Sequence, residues 1–129
     1  MKLLADINVL LALAWPQHTH HDRAYRWWKG LRPEDTLATC SITELGFVRI
    51  SLQPPFSASS IAQVKQALKQ LRAARPGHEF IVDDQSAANL PDWVTSAKQT
   101  TDGHLLALAT AHGAQLVTLD AGIPGAEKI

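Results

Sequence analysis

A lone cysteine cannot close an intrachain disulfide, and Cys40 is the only one in 129 residues. Such a chain has to hold itself together by burying apolar surface, and its cysteine usage suits a reducing cytoplasm. An excess of charge of either sign is missing too. Lys and Arg number 12 and so do Asp and Glu, so no global positive field announces a nucleic-acid or membrane-surface binder. No apolar run is long enough to cross a bilayer. The stretch from Leu3 to Leu13 is interrupted by Asp6 and Asn8 and preceded by one cation, Lys2, which reads as a soluble, unprocessed N-terminus with no membrane partner. Repeats, low-complexity segments and composition shifts are absent, so residues 1–129 read as one domain. The hydrophobic share of 46% suffices for a real core. His18, His20 and His21 cluster, but without partners at zinc spacing they read as a polar loop and a helix start.

What is present begins with that first apolar stretch. Leu3 to Ala5 reads as a buried strand, and the Ala and Leu that thicken after Asn8 read as a helix. Strand periodicity sets Asp6 and Asn8 on one side where the strand ends. Asp6 also suits the N-cap of the following helix. Trp15-Pro16 stops that helix. A second helix is expected from Asp22 to about Leu31, with Ala24, Trp28 and Leu31 inward. A short strand over Thr36–Thr39 follows. Ser41-Ile42-Thr43-Glu44 has the spacing of a capping box, with Leu45, Val48 and Leu52 on the apolar side of the helix it opens. On that reading Glu44 has a structural explanation.

The clearest amphipathic pattern runs from Ser57 to about Ala74, where Ile61, Val64, Leu68 and Leu71 repeat at three and four. Lys65, Lys69 and Arg72 flank that stripe. Such a row is ordinarily a solvated helix face, or else a rim that contacts phosphates of RNA. Glu79–Val82 reads as a strand, with Asp83-Asp84 as a cap, and Asn89 to Gln99 as an irregular excursion. Thr100-Thr101-Asp102-Gly103 opens a helix that turns Leu105, Leu106, Ala109 and His112 inward. Asp102 lies on its inward face, and Gly103 loosens its first turn. Gly113 ends it as the C′ residue. Gln115–Asp120 reads as a strand ending in an acid, with Thr118 on the same side, and a short tail closes the chain.

Two strands thus end in Asp, and two helices carry an inward acid in the first turn. In alternating β and α elements, strand C-termini and the following helix N-termini share one rim of the sheet, so Asp6, Glu44, Asp102 and Asp120 can converge. Each pair of unscreened carboxylates about 4 Å apart costs on the order of 4 kcal/mol at an effective dielectric of 20. A helix N-terminus relieves only about 0.3–1 kcal/mol. A divalent cation is the better remedy. An all-oxygen ligand set selects Mg²⁺ or Mn²⁺, whose chemistry on phosphates is phosphodiester hydrolysis.

LLADINVLLALA, SITELGFVRI, TTDGHLLALATAHGAQLVTLD and the closing AGIPGAEKI resemble the PIN-domain family, and most of all the VapC toxins of bacterial VapBC toxin–antitoxin pairs. The likeness spans nearly the whole chain and is weakest between Gln53 and Gln99. It implies an α/β fold, a PIN-like α/β/α sandwich with a central, mainly parallel sheet. It implies a Mg²⁺- or Mn²⁺-dependent endoribonuclease whose acids are Asp6, Glu44, Asp102 and Asp120. Asn8 and Thr118 match the polar positions beside the first and last acids, where they would orient ligands or water. A VapB-type antitoxin that occludes the site and a homodimer follow from the same likeness, with Tyr25, Trp27 and Trp28 available for either contact. Two other classes begin from similar acids. A haloacid-dehalogenase-like phosphohydrolase wants an acid where this chain has Asn8. A receiver-like domain, which is no enzyme, takes its phosphoacceptor from a mid-chain strand and has no need of Glu44.

Overall fold

A computed structural model describes residues 1–129. Five parallel strands form one sheet in the order β3-β2-β1-β4-β5. They are β1 (Lys2–Ala5), β2 (Thr36–Cys40), β3 (Glu79–Ile81), β4 (Ala114–Thr118) and β5 (Glu127–Lys128). Five helices cover the sheet: α1 (Ile7–Ala14), α2 (His21–Lys29), α3 (Ser41–Ser51), α4 (Ile61–Ala73) and α5 (Thr100–Ala111). Parallel strands buried on both faces read as unbroken apolar runs, which is why Leu3, Leu4 and Ala5 are all buried. Alternation sends Leu3 and Ala5 into a core shared with α1, α3 and α4, and Leu4 into a second core beneath α5. The expected α/β/α layering with a parallel sheet is what forms.

Strand order places the functional rim. From β1 the chain winds outward through β2 to β3, then returns to the other side of β1 as β4. The order reverses between β1 and β4, and the crevice outside the carboxyl ends of those two strands is where such sheets bind ligands. Asp6 directly follows β1 and Thr118 is the last residue of β4.

Several local expectations are corrected. The capping box of α3 is not Ser41 with Glu44. Strand β2 runs to Cys40, which stays extended and serves as N-cap, so the third helical residue is Thr43, whose hydroxyl accepts the Cys40 N–H at 3.0 Å. Glu44 is one position too late to cap. Of the residues expected on the apolar side of α3, Val48 and Leu52 pack against the core but Leu45 does not. Thr43, Phe47 and Ser51 are buried, while Leu45 is 69% exposed. Phe47 stacks on Trp15, whose indole N–H donates to Ser51.

Helix α4 starts later than expected, at Ile61, because Ser60 accepts the Gln63 N–H as its N-cap. Ile61 in that first turn lies outside the core and is exposed. Gly103 does not loosen α5. It is buried, and a Cβ there would collide with the Val94 side chain, so glycine lets the helix start lie against the excursion before it. Strand β4 stops at Thr118, two residues before Asp120, and the tail pairs as β5. The histidines have structural contacts: His21 Nδ1 donates to the Ala12 carbonyl, and His18 stacks on Phe56.

Candidate metal centre

Asp6 caps α1 and stands at the end of β1. As N-cap of α1 its carboxylate accepts the Ile7 N–H at 2.7 Å, and its other oxygen accepts the Thr118 hydroxyl at 2.8 Å. The Thr118 oxygen in turn accepts Asn8 Nδ2 at 3.3 Å and the Asp120 N–H at 3.1 Å. Asn8 Oδ1 accepts the Leu119 N–H at 3.2 Å. One hydroxyl thus donates once and accepts twice, its full capacity. The result is a knot that ties the first turn of α1 to the turn after β4 and fixes Asp6 and the Asp120 backbone relative to each other.

Asp102 arrives from the first turn of α5, as helical periodicity predicts. Asp6, Asp102 and Asp120 can each bring one carboxylate oxygen within 4.8 Å of the others. No Lys or Arg pairs with any of the three. Burial pushes the Asp6 carboxyl above its ordinary range, the hydrogen bonds from Thr118 and Ile7 pull against that, and Asp120 adds to the rise. Burial likewise raises Asp102, with the charges of Asp6 and Asp120 adding to it. Three oxygen donors crowded together, lacking a counter-cation and strained by mutual repulsion, fit a divalent cation of the Mg²⁺ or Mn²⁺ type.

Glu44 stands outside that triad. Its carboxylate accepts the Thr39 hydroxyl at 2.5 Å and lies 3.6 Å from an Arg72 guanidinium nitrogen, while Thr39 also touches His78 at 2.8 Å. Sequence reading found Glu44 but none of these partners except Arg72, which it placed in a basic row. Lys65 and Lys69 are exposed on α4. Lys69, Arg72 and His78 line one open depression. Asp83 and Asp84 reach further than a local cap. Asp83 accepts the Gln85 N–H and pairs with His104 at 2.6 Å, and Asp84 pairs with His112 at 2.8 Å. Both contacts tie the segment after β3 to α5.

This fold and acidic crevice define a class, and the sequence matches it: the family model of the PIN domain covers residues 3–128. The chain belongs to the PIN-domain family. Among curated relatives, Ribonuclease VapC38 of Mycobacterium tuberculosis is 44% identical over 126 residues, 93% of this chain and 86% of that protein. Ribonuclease VapC44 of the same organism is 40% identical over 144 residues, 99% and 96% of the two chains. Among solved structures, VapBC2 from Rickettsia felis, bound to a DNA fragment from its promoter, superposes with a TM-score of 0.67. That match is 17% identical and covers 100% of this chain and 98% of the other. The Mycobacterium tuberculosis toxin VapC20, which cleaves the sarcin-ricin loop, superposes with a TM-score of 0.65 at 12% identity, covering 94% and 92%. Membership of this family sets aside the dehalogenase-like and receiver-like alternatives. No helix is long and apolar enough to cross a membrane.

Proposed function

We propose that this chain is a metal-dependent endoribonuclease, the toxin of a type II toxin–antitoxin pair, with residues 1–129 acting as a single PIN domain in the cytoplasm. The observation that carries the reading is the triad of Asp6, Asp102 and Asp120 at the β1/β4 switch point, together with relatives that bear the name Ribonuclease VapC.

Asp6, Asp102 and Asp120 would hold Mg²⁺ or Mn²⁺, and Glu44, in the first turn of α3, would be the fourth acid of the set. A divalent cation there supplies charge neutralisation at the phosphoryl oxygens and activation of water. In the hydrolysis the oxygen of water bonds to phosphorus as the P–O3′ bond breaks. A proton from water ends on the departing oxygen, leaving a 3′-hydroxyl and a 5′-phosphate. The chain's own contribution is placement. Thr118 and the Ile7 N–H fix both oxygens of Asp6, and Asn8 holds the turn that carries Asp120. His104, two residues past Asp102, pairs through Nε2 with Asp83, which ties the start of α5 to the segment after β3. Lys65, Lys69 and Arg72 would lie along the RNA backbone. A VapB-type antitoxin and a second copy of the chain are the partners this reading implies.

Purified protein should cleave single-stranded RNA in Mg²⁺ or Mn²⁺, stop on chelation and resume on adding metal back. Asp102→Asn should be inactive while still folded. RNA cleavage that survives both chelation and Asp102→Asn would defeat the proposal.

A further inference from the structure

Thr39 presents an unexplained hydroxyl. It sits fully buried in β2, where valine has the same shape and no polar atom to satisfy. Its oxygen serves no backbone group, and its two partners are the side chains of Glu44 and His78. Glu44 is likewise not needed as a cap, because Cys40 and Thr43 cap α3. His78 is set by the turn before β3, where Gly77 takes a positive φ of 83° against Thr36. Thr39 from β2 and Arg72 from α4 therefore meet at the Glu44 carboxylate of α3, and His78 from the α4–β3 turn reaches it through Thr39.

The proton count fixes the direction of this chain. A carboxylate paired to a guanidinium can only accept, so the single Thr39 proton goes to Glu44. The Thr39 oxygen must then accept from His78, so His78 carries its proton on Nε2. Burial, with the charge of Arg72, holds His78 below the usual histidine range, which agrees with a neutral ring in one fixed tautomer. Both Thr39 and Arg72 address the same carboxylate oxygen, Oε2. Oε1 has no protein partner, and the side chain is 16% exposed.

We propose that His78 and Thr39 form a directed hydrogen-bond relay that, with Arg72, clamps Oε2 of Glu44 and presents Oε1 to the cleavage site. Both are positioning residues. Their part in cleavage rests on the ribonuclease reading, whereas the relay itself does not. Groups that orient ligand carboxylates affect metal affinity or activity by about 10- to 100-fold.

Long-range proton–nitrogen NMR of the metal-free protein tests the relay directly. The expected result is a neutral His78 ring protonated on Nε2, and a ring protonated on Nδ1 overturns it. Function is tested at His78, which is half-exposed and so tolerant of change. His78→Leu should lower kcat, or raise the Mn²⁺ concentration for half-saturation measured by calorimetry, by about 10- to 100-fold, with KM for RNA unchanged. His78→Gln, whose amide N–H can stand in for Nε2–H, should keep most of the activity, and Thr39→Val should behave like His78→Leu. Equal losses in His78→Gln and His78→Leu, or a change confined to KM, overturn the positioning role. Glu44→Gln separates the two levels. If it cleaves like the parent, Glu44 has no part in the reaction, and the ribonuclease reading of that residue fails. If it is inactive while Thr39→Val and His78→Leu turn over normally, that reading stands and the positioning role is overturned.

Discussion

Thr118 donates its hydroxyl to Asp6 across the β1–β4 pair at 2.8 Å, joining residues 112 apart in sequence. The same oxygen accepts the Asp120 N–H, so one buried threonine holds the acids from two strand ends in register. Thr118→Val keeps the shape but leaves the Asp120 N–H and the Asn8 amide without that acceptor. Loss of a buried partner costs about 1–3 kcal/mol, to be read as a lower urea midpoint at unchanged slope. It should also raise the Asp6 carboxyl further, because a hydrogen bond that lowers it is gone. A variant with the parent's midpoint and cleavage rate would show the hydroxyl to be idle.

The second prediction concerns Asp6 and pH. An acid whose carboxyl is raised on folding holds its proton more tightly in the folded state. Stability therefore falls as pH climbs from near 3.8 through the higher folded value. Asp6→Asn removes that loss, and asparagine still caps α1. Without metal, the variant should gain on the parent as pH rises through this window and keep the gain at neutral pH. With Mg²⁺ or Mn²⁺ the order should close or reverse, because an ion bound only by the native state stabilises by mass action. Thermal unfolding with and without Mn²⁺ decides it. An equal metal-induced rise in Tm for both proteins would remove Asp6 from the ligand set.

Much of this arrangement is legible in the sequence because it is periodic. The apolar run through Leu3–Leu13 announces β1 and α1. Asn8, however, lies in α1, where a strand period does not apply, and it joins Asp6 through the Thr118 hydroxyl instead. A period of 3.6 turns Asp102 inward, and Thr118 falls two residues from Asp120. What periodicity cannot reach is a contact between single residues far apart in the chain. The Thr39–Glu44–His78 cluster has no repeat to betray it. Strand β5 is two polar residues held by backbone pairing and by Gln115 bonding the Gly125 carbonyl, so its sequence reads as a tail. The misplaced capping box has a different origin. Ser41 and Glu44 fit the pattern, but β2 continues one residue further than its composition suggests, and the cap moves with it.

Acid sensitivity should come from elsewhere in the fold. The hydrogen bond from the Arg32 side chain, with the Arg32 N–H, holds the Asp35 carboxyl down at about 2. For a depressed acid the stabilisation is complete above 3.8 and disappears as pH falls toward about 2. Asp35→Asn should therefore be less stable than the parent at neutral pH, and the two should converge over that acidic interval. A gap that stays constant through it would assign the loss to packing instead.

The last prediction concerns the basic side of α4. Lys65 and Lys69 are exposed, whereas Arg72 is shared with Glu44. If all three lie along RNA, changing them to glutamine should flatten the dependence of log affinity on log salt. For single strands the slope should change by about 0.7 for each phosphate no longer neutralised. Phosphate-binding cations fix the backbone and do no chemistry, so Lys65→Gln and Lys69→Gln should weaken binding with little effect on the turnover of bound substrate. Arg72→Gln should differ from the two lysine variants. It removes a phosphate partner and also one of the two groups on Oε2 of Glu44, so both affinity and turnover should fall. Binding measured in an Asp102→Asn background at several salt concentrations keeps cleavage from distorting the slopes, and turnover is read in the active protein. Equal slopes with and without the three cations would make this a solvated helix face. Loss of turnover in Arg72→Gln at an unchanged slope would then assign Arg72 to Glu44 alone.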